Sequence, residues 1–419
     1  MQAQLLWCVG GLLSFCGALC YAELATSIPR NGGDYEFLNR AYGRGWGFVF
    51  GWAQLTIVLT GSIGSMGYAF ADYAKSAFGV VDSAQPWIAA IAVVILSIVN
   101  AIGAVTGVVV QNILSAAKII GLALVAIAAF FFTGAATDVA TSVTPSATNI
   151  GLATVFVLYA YGGWNDAAYV SAEIRDPNRN IPRALLGGIV LITAIYLIIN
   201  FAYLKVLGFE RARETFTPAA DVLNLTIGAN GGKLVSILVM ISALGAINGM
   251  ILTGARIYST MGQDYQSFSW MRYGQSSNAS PLVAILVQCV ASIILIFGVG
   301  TEFGRNSIDG ALALFRINGL PWDAYFGGFE TLVAASAPIF WLFFLMTGLA
   351  VFVLRYRFPE IARPFKVPGF PIPVIVFCCS CGFMLYSSLS YAGWLTALAM
   401  VPLGLSVVGF VVIKNLEKK

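Results

Sequence analysis

Residues 154–166 read Thr154-Val155-Phe156-Val157-Leu158-Tyr159-Ala160-Tyr161-Gly162-Gly163-Trp164-Asn165-Asp166. The stretch is apolar enough to lie in a bilayer, yet it carries a Gly-Gly pair in mid-span, flanked by aromatics and followed by Asn-Asp. Each glycine costs a helix about 1 kcal/mol relative to alanine, so the pair makes a poor continuous helix. A break at that depth exposes backbone amides and carbonyls, which lipid tolerates only where they line a cavity or a ligand. The half-helix ending near Tyr161 aims its negative dipole end at the break, a setting that suits an ammonium group. The competing reading is a Gly pair that lets two helices approach closely.

Working outward, the same apolar character recurs along the whole chain. Of 419 residues, 59% are hydrophobic and only 10% charged, against about 25% charged in an ordinary soluble domain. A transmembrane helix needs about 20 mostly apolar residues. Eleven segments meet that need, at 4–27, 46–70, 87–105, 107–132, 150–173, 184–207, 232–258, 281–299, 328–355, 371–390 and 393–413. The reading is an all-α polytopic membrane protein, one membrane domain over 1–419. The first segment lacks a basic leader and runs into Tyr21-Ala22-Glu23, so it reads as a span and not as a signal peptide.

Several function classes drop out. The net charge is +4 with no basic cluster, so nucleic acid is not an expected partner. The chain has no His, which removes histidine metal sites and histidine acid–base chemistry. Its seven cysteines (8, 16, 20, 289, 378, 379 and 381) all lie in apolar stretches and read as small hydrophobes, including the Cys378-Cys379-Ser380-Cys381 run. No nucleophile–base pair stands out, so an enzyme is not expected, and neither is a cofactor or a metal.

Loop charges set an orientation. Arg30, Arg40, Arg44, Arg175, Arg179, Arg183, Arg256, Arg272, Arg355, Arg357, Arg363, Lys366, Lys414, Lys418 and Lys419 fall on one side, fifteen in all. Lys75, Lys205, Arg211, Arg213, Lys233, Arg305 and Arg316, seven in all, fall on the other. The first side is expected to be cytoplasmic, which puts the C-terminus inside and, with eleven spans, the N-terminus outside. A further helix before Met1 would restore an inside start.

Ionisable groups inside a membrane are costly and are functional candidates by default. Lys118 lies about 16 Å along its span at 1.5 Å per residue, close to the bilayer centre; coupling or gating is the functional reading, a lysine held by backbone carbonyls the structural one. Asp166 follows the break and is a gating candidate. Glu23 and Glu173 end their spans and read as ion-pair partners at the cytoplasmic face. In the small-residue run from Ser242 to Gly249, Asn248, and further on Thr253, either face a cavity or bond between helices.

The residues Gly17-Ala18-Leu19-Cys20-Tyr21-Ala22-Glu23-Leu24-Ala25-Thr26-Ser27-Ile28-Pro29-Arg30-Asn31-Gly32-Gly33 resemble the second helix and following loop of amino acid–polyamine–organocation (APC) superfamily transporters, closest to the L-type amino acid transporter branch. Tyr159–Asn165 with Glu173-Ile174-Arg175-Asp176-Pro177-Asn178-Arg179-Asn180-Ile181-Pro182 resembles that family's sixth helix and loop. Val110-Gln111-Asn112-Ile113 with Lys118 resembles its fifth helix, and Arg363-Pro364-Phe365-Lys366-Val367-Pro368 the loop after its tenth.

The resemblance implies a leucine-transporter-type inverted-repeat fold in which the eleven spans are helices two to twelve, with helix one lacking. It implies that backbone around Tyr159, Ala160, Tyr161 and Gly162 accepts a substrate ammonium, with Gly163 also in the substrate site, that Tyr159 is an aromatic gate, and that Asn165 lines the site. Phe340 and Trp341 would flank the side-chain pocket. Lys118 would stand where sodium-coupled relatives bind sodium; Asn248 and Thr253 are grouped with it as coupling candidates from the residue reading above. The 71–86 loop has no Cys, so no disulfide-linked heavy chain is expected. The implied function is secondary transport in the cell (inner) membrane: sodium-independent exchange or facilitated uptake of neutral L-amino acids. The alternatives are proton symport through Lys118 and a non-transporting fragment or sensor.

Overall fold

The helices begin and end where the sequence punctuates its apolar runs. Proline stands in the first turn of four of them, where its missing N–H costs nothing: Pro86 in α4 (Gln85–Ile102), Pro177 in α6 (Pro177–Glu214), Pro218 in α7 (Pro218–Ile227) and Pro373 in α12 (Ile372–Ala392). The remaining elements are α1 (Gln2–Ser27), α2 (Asp34–Tyr42), α3 (Arg44–Phe78, with a π-helical turn at Gln54–Val58), α5 (Ala104–Phe131), α8 (Gly231–Asp264), α9 (Leu282–Gly300), α10 (Glu302–Ala313), α11 (Gly327–Arg357) and α13 (Thr396–Leu416). The computed structural model describes residues 2–131, 154, 157–215, 217–228, 230–273, 281–314, 316, 319, 320, 322 and 327–416. The start of the span expected at 150–173 and the tail lysines Lys418 and Lys419 lie outside the described residues.

Among the described residues, nine helices are long and apolar enough to cross a membrane, and Ala399–Asn415 is a shorter apolar helix. The eleven expected spans differ from this set for two reasons. The span at 150–173 is broken and only partly described, and the last one is short of membrane length over its described apolar part. Outward-facing side chains on α4 and α5 are mostly apolar, among them Ile98, Ile102, Ile113, Ile120 and Phe130, with Asn112 the polar exception. Such a surface needs lipid as its solvent.

Two large cores fill the interior. One joins α3, α4, α8, α9 and the first half of α11 through residues such as Phe50, Ile63, Val93, Ile251 and Leu332. The other joins α1, α6, α12 and the second half of α11 through Tyr21, Leu185, Phe377 and Val351. The short helix α2 contributes to both, with Tyr35 and Leu38 in the first core and Phe37 and Ala41 in the second.

Candidate functional site

The helix at the quoted stretch does break. Residues 157–160 are α-helical, Tyr161–Gly163 form a turn, and Trp164–Glu173 continue as a 3₁₀ segment. Gly163 sits at φ +92°, a left-handed conformation that favours glycine. Tyr159, Ala160, Gly162 and Gly163 are exposed at the break. Tyr161 is buried, its hydroxyl donating to the Trp7 carbonyl at 2.9 Å, with Thr193 Oγ1 at 3.1 Å. The carbonyl of Ala160 accepts from Tyr196 Oη at 2.6 Å. Asn165 is buried; its amide donates to Tyr169 Oη at 3.3 Å, while its Oδ1 has no partner among the described residues. A buried orphan acceptor is rare enough to need an explanation, and a ligand's N–H is one.

Phe340 and Trp341 meet the break through aromatic contacts. Their rings lie 5.1 Å apart, Phe344 packs on both at 4.5 and 5.7 Å, and Trp164 packs on Phe344 at 5.7 Å. Phe340 and Trp341 are thus linked to Trp164, the first residue of the half-helix after the break, while the Tyr161 ring packs on Trp7 and Tyr196 instead.

Lys118 belongs to a different one. It lies 14 residues into the 28-residue α5, about 21 Å along a helix of about 42 Å, which is its middle. It shares the α8-facing stripe of α5 with Gln111, Leu114 and Gly121: Gln111 bonds Asn248, and a Cβ on Gly121 would press on Leu238. Lys118 is half-buried, and among the described residues it makes no hydrogen bond or ion pair and none to the break. Asn248 is fully buried in an interhelical knot, accepting from Asn100 Nδ2 at 2.7 Å and donating to Gln111 Oε1 at 2.8 Å and the Gly107 carbonyl at 3.1 Å. Thr253 bonds back to the Gly249 carbonyl at 3.0 Å.

A cavity of about 530 Å³ lies between α1, α5, α6 and α7, lined by Trp7, Leu122, Tyr196, Asn200, Tyr203 and Pro218 among others. None of the expected substrate residues lines it.

The arginine-rich end is tied by polar groups. Glu23, buried, takes a fork from Arg355 at 2.7 and 2.5 Å and accepts from the Val367 N–H at 2.7 Å, with Arg363 Nε at 3.7 Å. Glu173 pairs with Arg256 at 3.0 Å and accepts from Asn31 at 3.1 Å. These are the ion pairs expected of both glutamates, now with named partners. Sequence reading missed α2. Its Asp34 is fully buried and accepts hydroxyl protons from Tyr21, from Thr347 at 2.5 Å and from Tyr169 at 2.8 Å. Burial pushes the Asp34 carboxyl up, and the three hydroxyls pull part of the way back down. The available signal was Gly32-Gly33-Asp34 followed by apolar residues at helical spacing.

Long apolar helices in two packed cores, with a helix broken beside an aromatic cluster, define a polytopic membrane transporter. Residues 2–414 match the family described as amino acid permease, and the chain belongs to that family. It is similar to the serine/threonine exchanger SteT of Bacillus subtilis (29% identity, covering 93% of this chain and 83% of that protein). It is also similar to the human b(0,+)-type amino acid transporter 1 (30%, 93% and 76%) and to the mouse large neutral amino acids transporter small subunit 2 (27%, 90% and 68%). The chain is an amino acid transporter and not an enzyme.

Proposed function

We propose that this transporter exchanges neutral L-amino acids without sodium and binds them at the break around Tyr161–Gly163. The observation that carries the reading is the interrupted helix, with the unpartnered Asn165 Oδ1 on one side and exposed Tyr159, Ala160 and Gly162 on the other. The substrate ammonium is held by backbone from Tyr159 to Gly162 with Asn165 beside it, Tyr159 gates the site, and the side chain points towards Phe340 and Trp341. Relatives named as a serine/threonine exchanger and as a large neutral amino acids transporter support the substrate class and the exchange mode. Lys118, placed at mid-helix on the stripe that also holds Gln111, supplies a fixed positive charge where a coupling ion would otherwise sit, with the Asn248 knot and Thr253 on the facing helix. The protein sits in the cell (inner) membrane with its C-terminus in the cytoplasm. It works without a disulfide-linked heavy chain, since the 71–86 loop has no Cys to bond one.

A second reading, proton symport, is favoured by one observation: among the described residues Lys118 has no oxygen partner to hold its charge. Uptake into proteoliposomes separates the two. Exchange that persists with no sodium or pH gradient is expected. Concentrative uptake driven by an inward proton gradient and abolished by Lys118→Ala would replace exchange with symport.

A further inference from the structure

The segment from Arg30 to Arg44 does two jobs at once. On one side it grips Asp264 at the end of α8: Arg30 Nη2 and Tyr35 Oη each donate to that carboxylate at 2.9 Å, Asn39 Nδ2 donates at 3.4 Å, and Arg44 donates to the Asp264 carbonyl. On the other side it holds the 3₁₀ half-helix that follows the break. Gly32 N–H donates to the Tyr169 carbonyl at 3.0 Å, Ser171 Oγ to the Arg30 carbonyl at 2.8 Å, and Ala172 N–H to Asn31 Oδ1 at 3.1 Å. Asp34 completes that side through Tyr169, Tyr21 and Thr347. α2 contributes to both cores, and so does the half-helix, with Tyr169 in the first and Ala168 in the second, so the segment ties the two cores together at the arginine-rich end.

The two grips differ in kind. Asp264 is held partly by a cation, the Arg30 guanidinium. Asp34 is a buried carboxylate whose described hydrogen-bond donors are neutral, three hydroxyls and its own backbone N–H; Asp166 and Cys381 are the other titratable groups turned towards it. A buried acid without a cationic partner is costly, so its place needs a reason beyond stability. The half-helix it holds is also the weaker element. It is 3₁₀, it hangs from the left-handed Gly163, and Val170 inside it leaves helical geometry at φ −110°, ψ 19°.

We propose that Asp34 is the latch of this strap: a positioning residue that keeps the half-helix Trp164–Glu173 docked through Tyr169 and releases it each time the transporter opens on the arginine-rich side. Asp34 touches no substrate. It acts on the site through the half-helix that begins at the break, so the inference rests on the break being the substrate site.

Tyr169→Phe removes the latch bond and leaves the ring; because it also takes the acceptor from Asn165 Nδ2, Asp34→Asn, which leaves that bond in place, is read beside it. Tyr42→Phe is the matched control: it removes one tyrosine hydrogen bond, to the Met346 carbonyl at 2.8 Å, from the same strap without touching Asp34. Two readouts are needed. Hydrogen–deuterium exchange of the amides in 164–173 reads docking without any substrate. The ratio of the substrate KM on the two membrane faces, in oriented proteoliposomes, reads the conformational balance. Loss of one hydrogen bond to a charged group shifts a two-state balance by about tenfold. Tyr169→Phe and Asp34→Asn are therefore expected to speed exchange in 164–173 about tenfold. They should lower the KM from the arginine-rich side relative to the other by a similar factor, and Tyr42→Phe should do neither. The proposal is overturned if Tyr169→Phe leaves the 164–173 exchange rates at wild-type values, or if Tyr42→Phe changes them equally. If exchange responds as expected while no variant or wild type binds an amino acid, the latch stands and the reading of the break as the substrate site fails.

Discussion

Replacing Glu23 by Gln tests how the second core is closed at its polar end. Glu23 is 2% exposed and sits between two arginines, whose side chains are 23% (Arg355) and 11% (Arg363) exposed. The substitution removes the charge and turns an NH₂ towards donors that need an acceptor, the Arg355 fork and the Val367 N–H. Removing one partner of a fully buried pair costs about 3–5 kcal/mol; water reaches part of the Arg355 guanidinium, so about 2–4 kcal/mol is expected here. Arg355 also lies 3.9 Å over the Phe370 ring, which keeps the bereaved cation in place instead of letting it swing out. Tryptophan fluorescence during thermal unfolding in detergent reads the change. Glu23→Gln should melt several degrees below wild type, Glu360→Gln on the exposed neighbouring loop should not move, and Glu23→Gln with Arg355→Gln should recover part of the loss. Equal melting of Glu23→Gln and Glu360→Gln would refute the reasoning.

Three further outcomes follow from the same geometry. Asn248→Ala strips Gln111 Oε1 and the Gly107 carbonyl of a donor inside the membrane and should cost about 1–2 kcal/mol, read as an earlier thermal transition. Gly33→Ala places a Cβ 2.5 Å from the Tyr169 ring at φ +50° and should depress exchange turnover; Gly43→Ala, at φ +101° with open space around it, carries backbone strain alone and should retain most of it. Burial pushes the Glu36 carboxyl up to about 7 against the pull of Arg30. A raised carboxyl contributes stability that is complete below its ordinary value and is lost as pH rises through about 7, so wild type should lose more melting temperature between pH 5.5 and 8 than Glu36→Gln.

The sequence was most readable where one physical demand dominates. Runs of about 20 apolar residues marked the spans, and the Gly-Gly pair set between aromatics and Asn-Asp does break its helix, at Tyr161–Gly163, whereas Gly10-Gly11 and Gly187-Gly188, without those neighbours, lie in continuous helix. Glu23 and Glu173 were legible as ion-paired because a carboxylate at a span end needs a cation. What stayed hidden depends on chain segments far apart. Asp34, Glu36 and Arg40 made 34–42 read as loop, since nothing local says that hydroxyls 13, 135 and 313 residues away converge on Asp34. Asn248 was legible as polar in a span, but its partner Asn100 is 148 residues distant. The short helices α7 and α10 lie outside the spans and carry no long apolar run to mark them.

The central claim is that the substrate sits at the helix break, and the most direct test is a density map of the purified protein with a saturating neutral L-amino acid, serine first and then leucine. The account predicts a ligand whose ammonium lies about 3 Å from backbone carbonyls between Tyr159 and Gly162, beside Asn165, with its side chain towards Phe340 and Trp341. Density in the cavity lined by Trp7, Tyr196 and Tyr203, with the break empty, would contradict it.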